Sequence, residues 1–225
     1  MVRTWLKIAV LATLSNGAGC STGSPKGKPI SMDAQYDTAV HEAGHAVANH
    51  VLVPQRRISS VYVLAKEKPG TDIVGLVTYD DDFSAPADGD AYAAYLRADA
   101  VIDYAGAAAE KVVLGTAMPD DPNYRYDGKN ASDSLWSLCL DDRLADEACK
   151  GAAVLKNVVG RNRSQTIADA AAIVEANKAA VIELANLIMR QPEKNGRRTL
   201  NEEELYRFLA DKKLVDPKAP KAEKK

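Results

Sequence analysis

All three histidines of this 225-residue chain, His41, His45 and His50, fall within one stretch of ten residues. The first two belong to His41-Glu42-Ala43-Gly44-His45, an HExxH motif inside a segment, from about Asp33 to Val53, that reads as a helix ending before Pro54. Positions four apart on an α-helix are offset by about 40°, so both imidazoles leave one face and can share a metal ion. Glu42 lies next to that face, within reach of a water molecule whose proton it can accept as general base. Zn2+ suits imidazole ligands with one position open to water. Small residues at Ala43, Gly44 and Ala46 let other backbone come close to such an ion. His50 follows His41 by nine residues, about 180° around the helix, and is expected to be a packing or surface residue. No fourth histidine exists, so the third protein ligand must be a carboxylate or a cysteine.

The elements that would position these groups are mostly helical. Arg57–Ala65 and Ile73–Tyr79 are rich in β-branched residues and flank Pro69-Gly70, the pattern of a hairpin. Asp80–Asp90 is an acidic loop, better explained by solvation than by calcium. A helix is expected over Ala91–Leu114, stopping at Gly115, followed by a loop over Thr116–Asn130. Helix resumes at Ala131 and runs to Val159 with a break near Asp141. Another spans Ser164–Arg190, where Ile167, Ala170, Val174, Val181, Leu184 and Ile188 share one apolar face. Thr199 with Glu202 reads as a capping box opening a last helix to about Lys212, and Asp216–Lys225 reads as a solvated, disordered tail. The expected fold class is mainly α with a small β-hairpin or sheet.

Composition narrows the functions. With 46% hydrophobic and 27% charged residues the chain can bury a core without metal or disulfide staples. A net charge of −2 argues against a nucleic-acid partner, and neither a GxxxxGK[ST] nor a GxGxxG loop occurs. No run of 18 apolar residues reads as a membrane span.

The N-terminus is expected to be a targeting segment. Arg3 and Lys7 precede the apolar stretch Ile8–Leu14 and then Gly17-Ala18-Gly19-Cys20, which resembles a bacterial lipoprotein signal with Gly17 in place of the usual Leu. In that reading Cys20 is the lipidated first residue of the mature protein, residues 21–32 are a tether, residues 33–214 form the folded domain, and the protein sits in the cell envelope, lipid-anchored or periplasmic. Cys139 and Cys149 could pair only across a bend near Asp141-Asp142, because one unbroken helix would hold them about 15 Å apart. Buried free thiols are the alternative.

The segment Thr38–Ala48 resembles the AYHEAGHAVVA-type segment of the peptidase domain of FtsH, the membrane-bound AAA+ zinc protease family. Further resemblances follow in the same order. Ile73–Tyr79 is similar to the family's strand beside the cleft. Tyr104-Ala105-Gly106-Ala107-Ala108-Ala109-Glu110 is similar to its LAGRAAEE helix, with Ala107 where Arg is usual. Asn130-Ala131-Ser132-Asp133 is similar to its GASND segment, and Asn177 and Thr199–Leu209 are similar to its C-terminal stretch. The likeness spans about residues 34–212 and implies a helical zinc endopeptidase domain. It also implies Asp133 as third ligand, where the same carboxylate could instead merely favour a helix N-terminus, with Glu110 as runner-up. Glu110 is otherwise a candidate to orient a ligand from behind. The AAA+ module and paired transmembrane helices of the family have no counterpart here, and the segment between Asp133 and Ser164 looks shorter.

The expectation is therefore a stand-alone zinc metalloendopeptidase cutting unfolded or flexible polypeptides, with His41, His45 and Asp133 on Zn2+ and Glu42 as base. A separate ATPase partner and homo-oligomerisation are left open. The rival is a metal-stabilised binding or regulatory module that kept the helix and lost proteolysis, which intact Glu42 speaks against. A zinc hydrolase of non-peptide bonds is a third option.

Overall fold

The computed structural model describes residues 28–68, 74–87, 89–115, 125–140 and 152–219. The chain is mainly helical with one small three-stranded antiparallel sheet. In chain order the elements are α1 (Met32–Leu52), β1 (Ile58–Leu64), β2 (Gly75–Tyr79), α2 (Gly89–Leu114), α3 (Arg125–Leu140), α4 (Ala152–Ala176), α5 (Lys178–Arg190), β3 (Arg197–Asn201) and α6 (Glu202–Ala210). Among the described residues no helix is long and apolar enough to cross a membrane.

Helix α1 starts where Ser31 caps it, its Oγ accepting from Ala34 N at 3.2 Å, with Asp33 complementing the N-terminal dipole. From Ala39 to Asn49 nearly every residue is buried, so α1 is a central helix, covered by α2, α5 and the sheet. The crossing with α2 is close because Gly44 has no side chain: a Cβ there would lie 2.4 Å from Ala105 O. Helix α2 ends as expected at Gly115, whose φ of 76° suits the left-handed position after a helix.

The expected hairpin forms, β1 pairing β2 with Val61 opposite Val77 and Val63 opposite Gly75; its turn lies outside the described residues. A third strand, β3, pairs with the other edge of β1, Tyr62 opposite Thr199. Thr199 is thus a strand residue, and the expected capping box is replaced by Asn201, whose side chain accepts from Glu204 N at 3.0 Å to open α6. Asn caps at least as well as Thr, and burying Leu200 completely requires the strand to continue up to that cap. Asn195-Gly196, both with positive φ, is the two-residue turn that starts this strand.

Several boundaries differ from expectation, and α4 runs unbroken through the expected gap between Val159 and Ser164. Helix α3 begins at Arg125, six residues before Ala131, so Asp127 lies in its first turn. The helix expected over Ser164–Arg190 is two helices broken at Asn177, whose side-chain amide donates to Val215 O and accepts from Val215 N, both at 2.8 Å. That clamp draws the chain after α6 onto the break, and Lys218 pairs with Asp169, so residues 216–219 are held rather than free. The break near Asp141, residues 220–225, Cys20 and the proposed signal lie outside the described residues. Cys139 on α3 is disulfide-bonded, and Cys149 lies outside the described residues. The end of the expected tether is ordered: Ile30 N donates to Ala65 O at 3.0 Å and Glu67 N to Lys28 O at 2.9 Å, extending the sheet past β1.

Candidate metal centre

His41 and His45 lie on successive turns of α1 and face α2 where Gly106 removes a side chain from the wall. A Cβ on Gly106 would sit 2.5 Å from both Nε2 atoms, so this glycine keeps open the space the two imidazoles address. The ring centroids are 4.7 Å apart at an interplanar angle of 78°, and the two Nε2 atoms are 3.0 Å apart. Each ring is held from behind. His41 Nδ1 donates to Glu110 Oε1 at 2.8 Å, and His45 Nδ1 donates to the Ile102 carbonyl at 2.7 Å. With both Nδ1 atoms engaged, Nε2 is the atom each ring turns forward, and its lone pair is what a metal ion would use.

The third group comes from α3. Asp127 Oδ2 stands 2.8 Å from His41 Nε2 and 3.4 Å from His45 Nε2, and His41, His45 and Asp127 form a cluster that could hold a metal ion. Two imidazoles and one carboxylate are a donor set suited to a catalytic divalent ion with an open position. The structure does not bring Asp133 to this cluster. It is exposed, six residues past Asp127 on α3, and pairs with Lys129 Nζ at 2.5 Å. Glu110 lies behind His41, its Oε1 accepting from Nδ1 of that ring. His50 points elsewhere, half-buried with its ring 6.1 Å from Tyr206, and burial lowers its pKa.

Burial sets the electrostatics. For His41 burial opposes the charged ring, but the hydrogen bonds with Asp127 and Glu110 outweigh it and raise its pKa to about 10. Burial likewise pushes the Asp127 carboxyl up, yet the His45 charge and the hydrogen bonds with both rings carry it well below the usual range. Glu42 is the exception in this group. It is 6% exposed, burial raises its pKa, and its carboxylate has no hydrogen-bond partner among the described residues. Its oxygens are nonetheless not sealed from solvent, as no fully enclosed, unpartnered side-chain atom occurs among those residues. Strand β2 runs across it: a Cβ on Gly75 would lie 2.6 Å from Glu42 Oε1.

Sequence reasoning missed Asp127. The available signal was an acidic residue followed by no helix breaker other than Gly128, in a segment whose helix starts one and a half turns earlier than its apolar pattern. Fold and site together define a mainly helical protein with a His/His/Asp group able to hold a metal ion. Neither a family model nor a curated protein matches this chain.

Proposed function

We propose that the protein is a zinc-dependent metalloendopeptidase acting on unfolded or flexible polypeptides, built on a peptidase domain of the FtsH type. The observation that carries this reading is the buried Glu42 carboxylate, without a hydrogen bond among the described residues, beside two imidazoles that each turn Nε2 toward Asp127. A site serving structure alone has no use for an unpaired buried acid, whose desolvation costs stability.

In this reading His41, His45 and Asp127 hold the ion. Bound zinc would supply Lewis acidity, polarising the scissile carbonyl and lowering the pKa of water. Glu42 takes the proton of the attacking water on a carboxylate oxygen and passes it to the leaving amine, a role its raised pKa favours. Glu110 and the Ile102 carbonyl keep the two rings in the tautomer that leaves Nε2 available. Strand β2 is an outer strand of the sheet, and an extended substrate can add along it past Glu42. Residence in the cell envelope, through a lipid on Cys20, is part of the same reading; the disulfide at Cys139 fits an oxidising compartment.

The test compares wild type with Glu42→Gln for metal content and for cleavage of a dye-labelled unfolded polypeptide. Zinc should be retained by both, and hydrolysis should fall at least about 100-fold in the variant, the scale of a general base. Near-normal cleavage by Glu42→Gln would remove the base from the mechanism. Metal-loaded wild type that cuts nothing would favour the binding-module alternative, and iron in place of zinc would overturn the assigned metal.

A further inference from the structure

Two turns below the metal cluster the same helices carry a second buried polar group. Asp99 on α2 is 8% exposed; its Oδ1 accepts from Arg56 Nη1 at 2.5 Å and its Oδ2 from Ser134 Oγ on α3 at 2.9 Å. Arg56, 7% exposed, also donates through Nε to Asn49 Oδ1 on α1 at 2.7 Å, and its guanidinium lies 4.3 Å from the centre of the Tyr79 ring at the end of β2. The spacing ties this group to the cluster above. Asp99 precedes Gly106 by seven residues, Ser134 follows Asp127 by seven, and Asn49 follows His45 by four. Seven residues are nearly two full turns, about 10 Å along the axis, and four are just over one turn, about 6 Å, so each pair lies on one face of its helix.

We propose that Asp99 and Ser134 are positioning residues for the metal centre. Resting on the reading that His41, His45 and Asp127 hold the ion, the inference is that the Arg56–Asp99–Ser134 chain fixes the height and rotation of α3 against α2. Helix α3 delivers the one ligand not on α1, from its first turn. A buried carboxylate shared between an arginine fixed to the α1 end and a hydroxyl on α3 is a directional link that apolar packing does not provide.

The full-length chain tests this with Ser134→Ala, Ser134→Thr and, as a core control on α5, Ile188→Val. Zn2+ affinity is read by competition with a chromophoric chelator, ligand geometry by the visible spectrum of bound Co2+, and stability by Tm. Ser134→Ala should weaken Zn2+ about tenfold, the lower end of the range for groups behind a ligand, and alter the Co2+ spectrum. Ser134→Thr, which keeps the hydroxyl, should restore both. Ile188→Val should lower Tm without moving either. Wild-type affinity and spectrum in Ser134→Ala, or equal weakening in Ile188→Val, would overturn the inference. If Ser134→Ala does not fold, Ser134→Cys replaces it, and wild-type affinity and spectrum there would also overturn the inference. The metal-centre reading fails separately: wild type that binds no ion, or Asp127→Ala that binds as wild type, removes the site itself and the inference with it.

Discussion

The metal cluster and the Asp99 group run through the same three helices, two turns apart, and are finished differently. In the lower group the charges are matched: Asp99 meets Arg56 and Ser134, and Arg56 meets Asn49 and the face of Tyr79. In the upper group the rings and Asp127 are tied, but Glu42 is buried with no hydrogen bond among the described residues. Burying a polar group is tolerable when it is paired and costly when it is not. The difference therefore separates side chains matched across the helices from one that, in the proposed function, is kept unpaired to act as base.

The largest effect should come from breaking the matched group. Asp99→Ala leaves the Arg56 charge buried without its carboxylate and should lower the unfolding free energy by about 3–5 kcal/mol in denaturant titrations. Glu42→Gln should leave stability unchanged or raise it, because the amide removes a desolvated charge. Equal losses in the two variants would erase the distinction drawn between them.

Next comes the carboxylate on α3 that could complete a metal site. Asp127→Ala should weaken metal binding by more than the roughly 10–100-fold typical of groups behind the ligands. The exposed Asp133→Ala, which removes only a surface pair with Lys129, should leave metal binding unchanged and cost about 0–1 kcal/mol of stability. Metal analysis after dialysis decides between them, and loss of metal on removing Asp133 would restore that residue as the ligand.

A smaller, graded effect is expected with pH. His41 titrates near 10 because its hydrogen bonds with Asp127 and Glu110 overcome burial. A raised pKa means that the protonated ring stabilises the metal-free fold fully below about 6.5, and that this contribution is lost as pH rises through about 10. The same proton occupies the lone pair a metal ion needs. Apparent affinity should therefore rise by up to about tenfold per unit at pH values below 10. Chelator competition at several pH values measures that slope, and a flat profile would show that His41 Nε2 carries no proton to displace.

Much of the site was legible from local spacing. The four-residue interval between His41 and His45, with Glu42 between them, needs only helical geometry to share a face, and the apolar periodicity of α5 mapped directly onto buried Val181, Leu184 and Ile188. The Asn195-Gly196 turn and the alternation around Leu200 carried the signal for β3, but a Thr three residues before a Glu looked equally like a helix cap. Two strong local patterns competed, and pairing with β1 decided between them.

By itself the sequence determined which side chains could bind a metal ion and act as a base, because those relations are fixed within one helix. Which carboxylate completes the set was decided by tertiary structure. Asp127 and Asp133 lie on the same helix, 86 and 92 residues after His41, and nothing local distinguishes them as ligands. Only the docking of α3 against α2, with Ser134 and Asp99 engaged and Gly106 leaving room, turns Asp127 toward the imidazoles and Asp133 toward solvent.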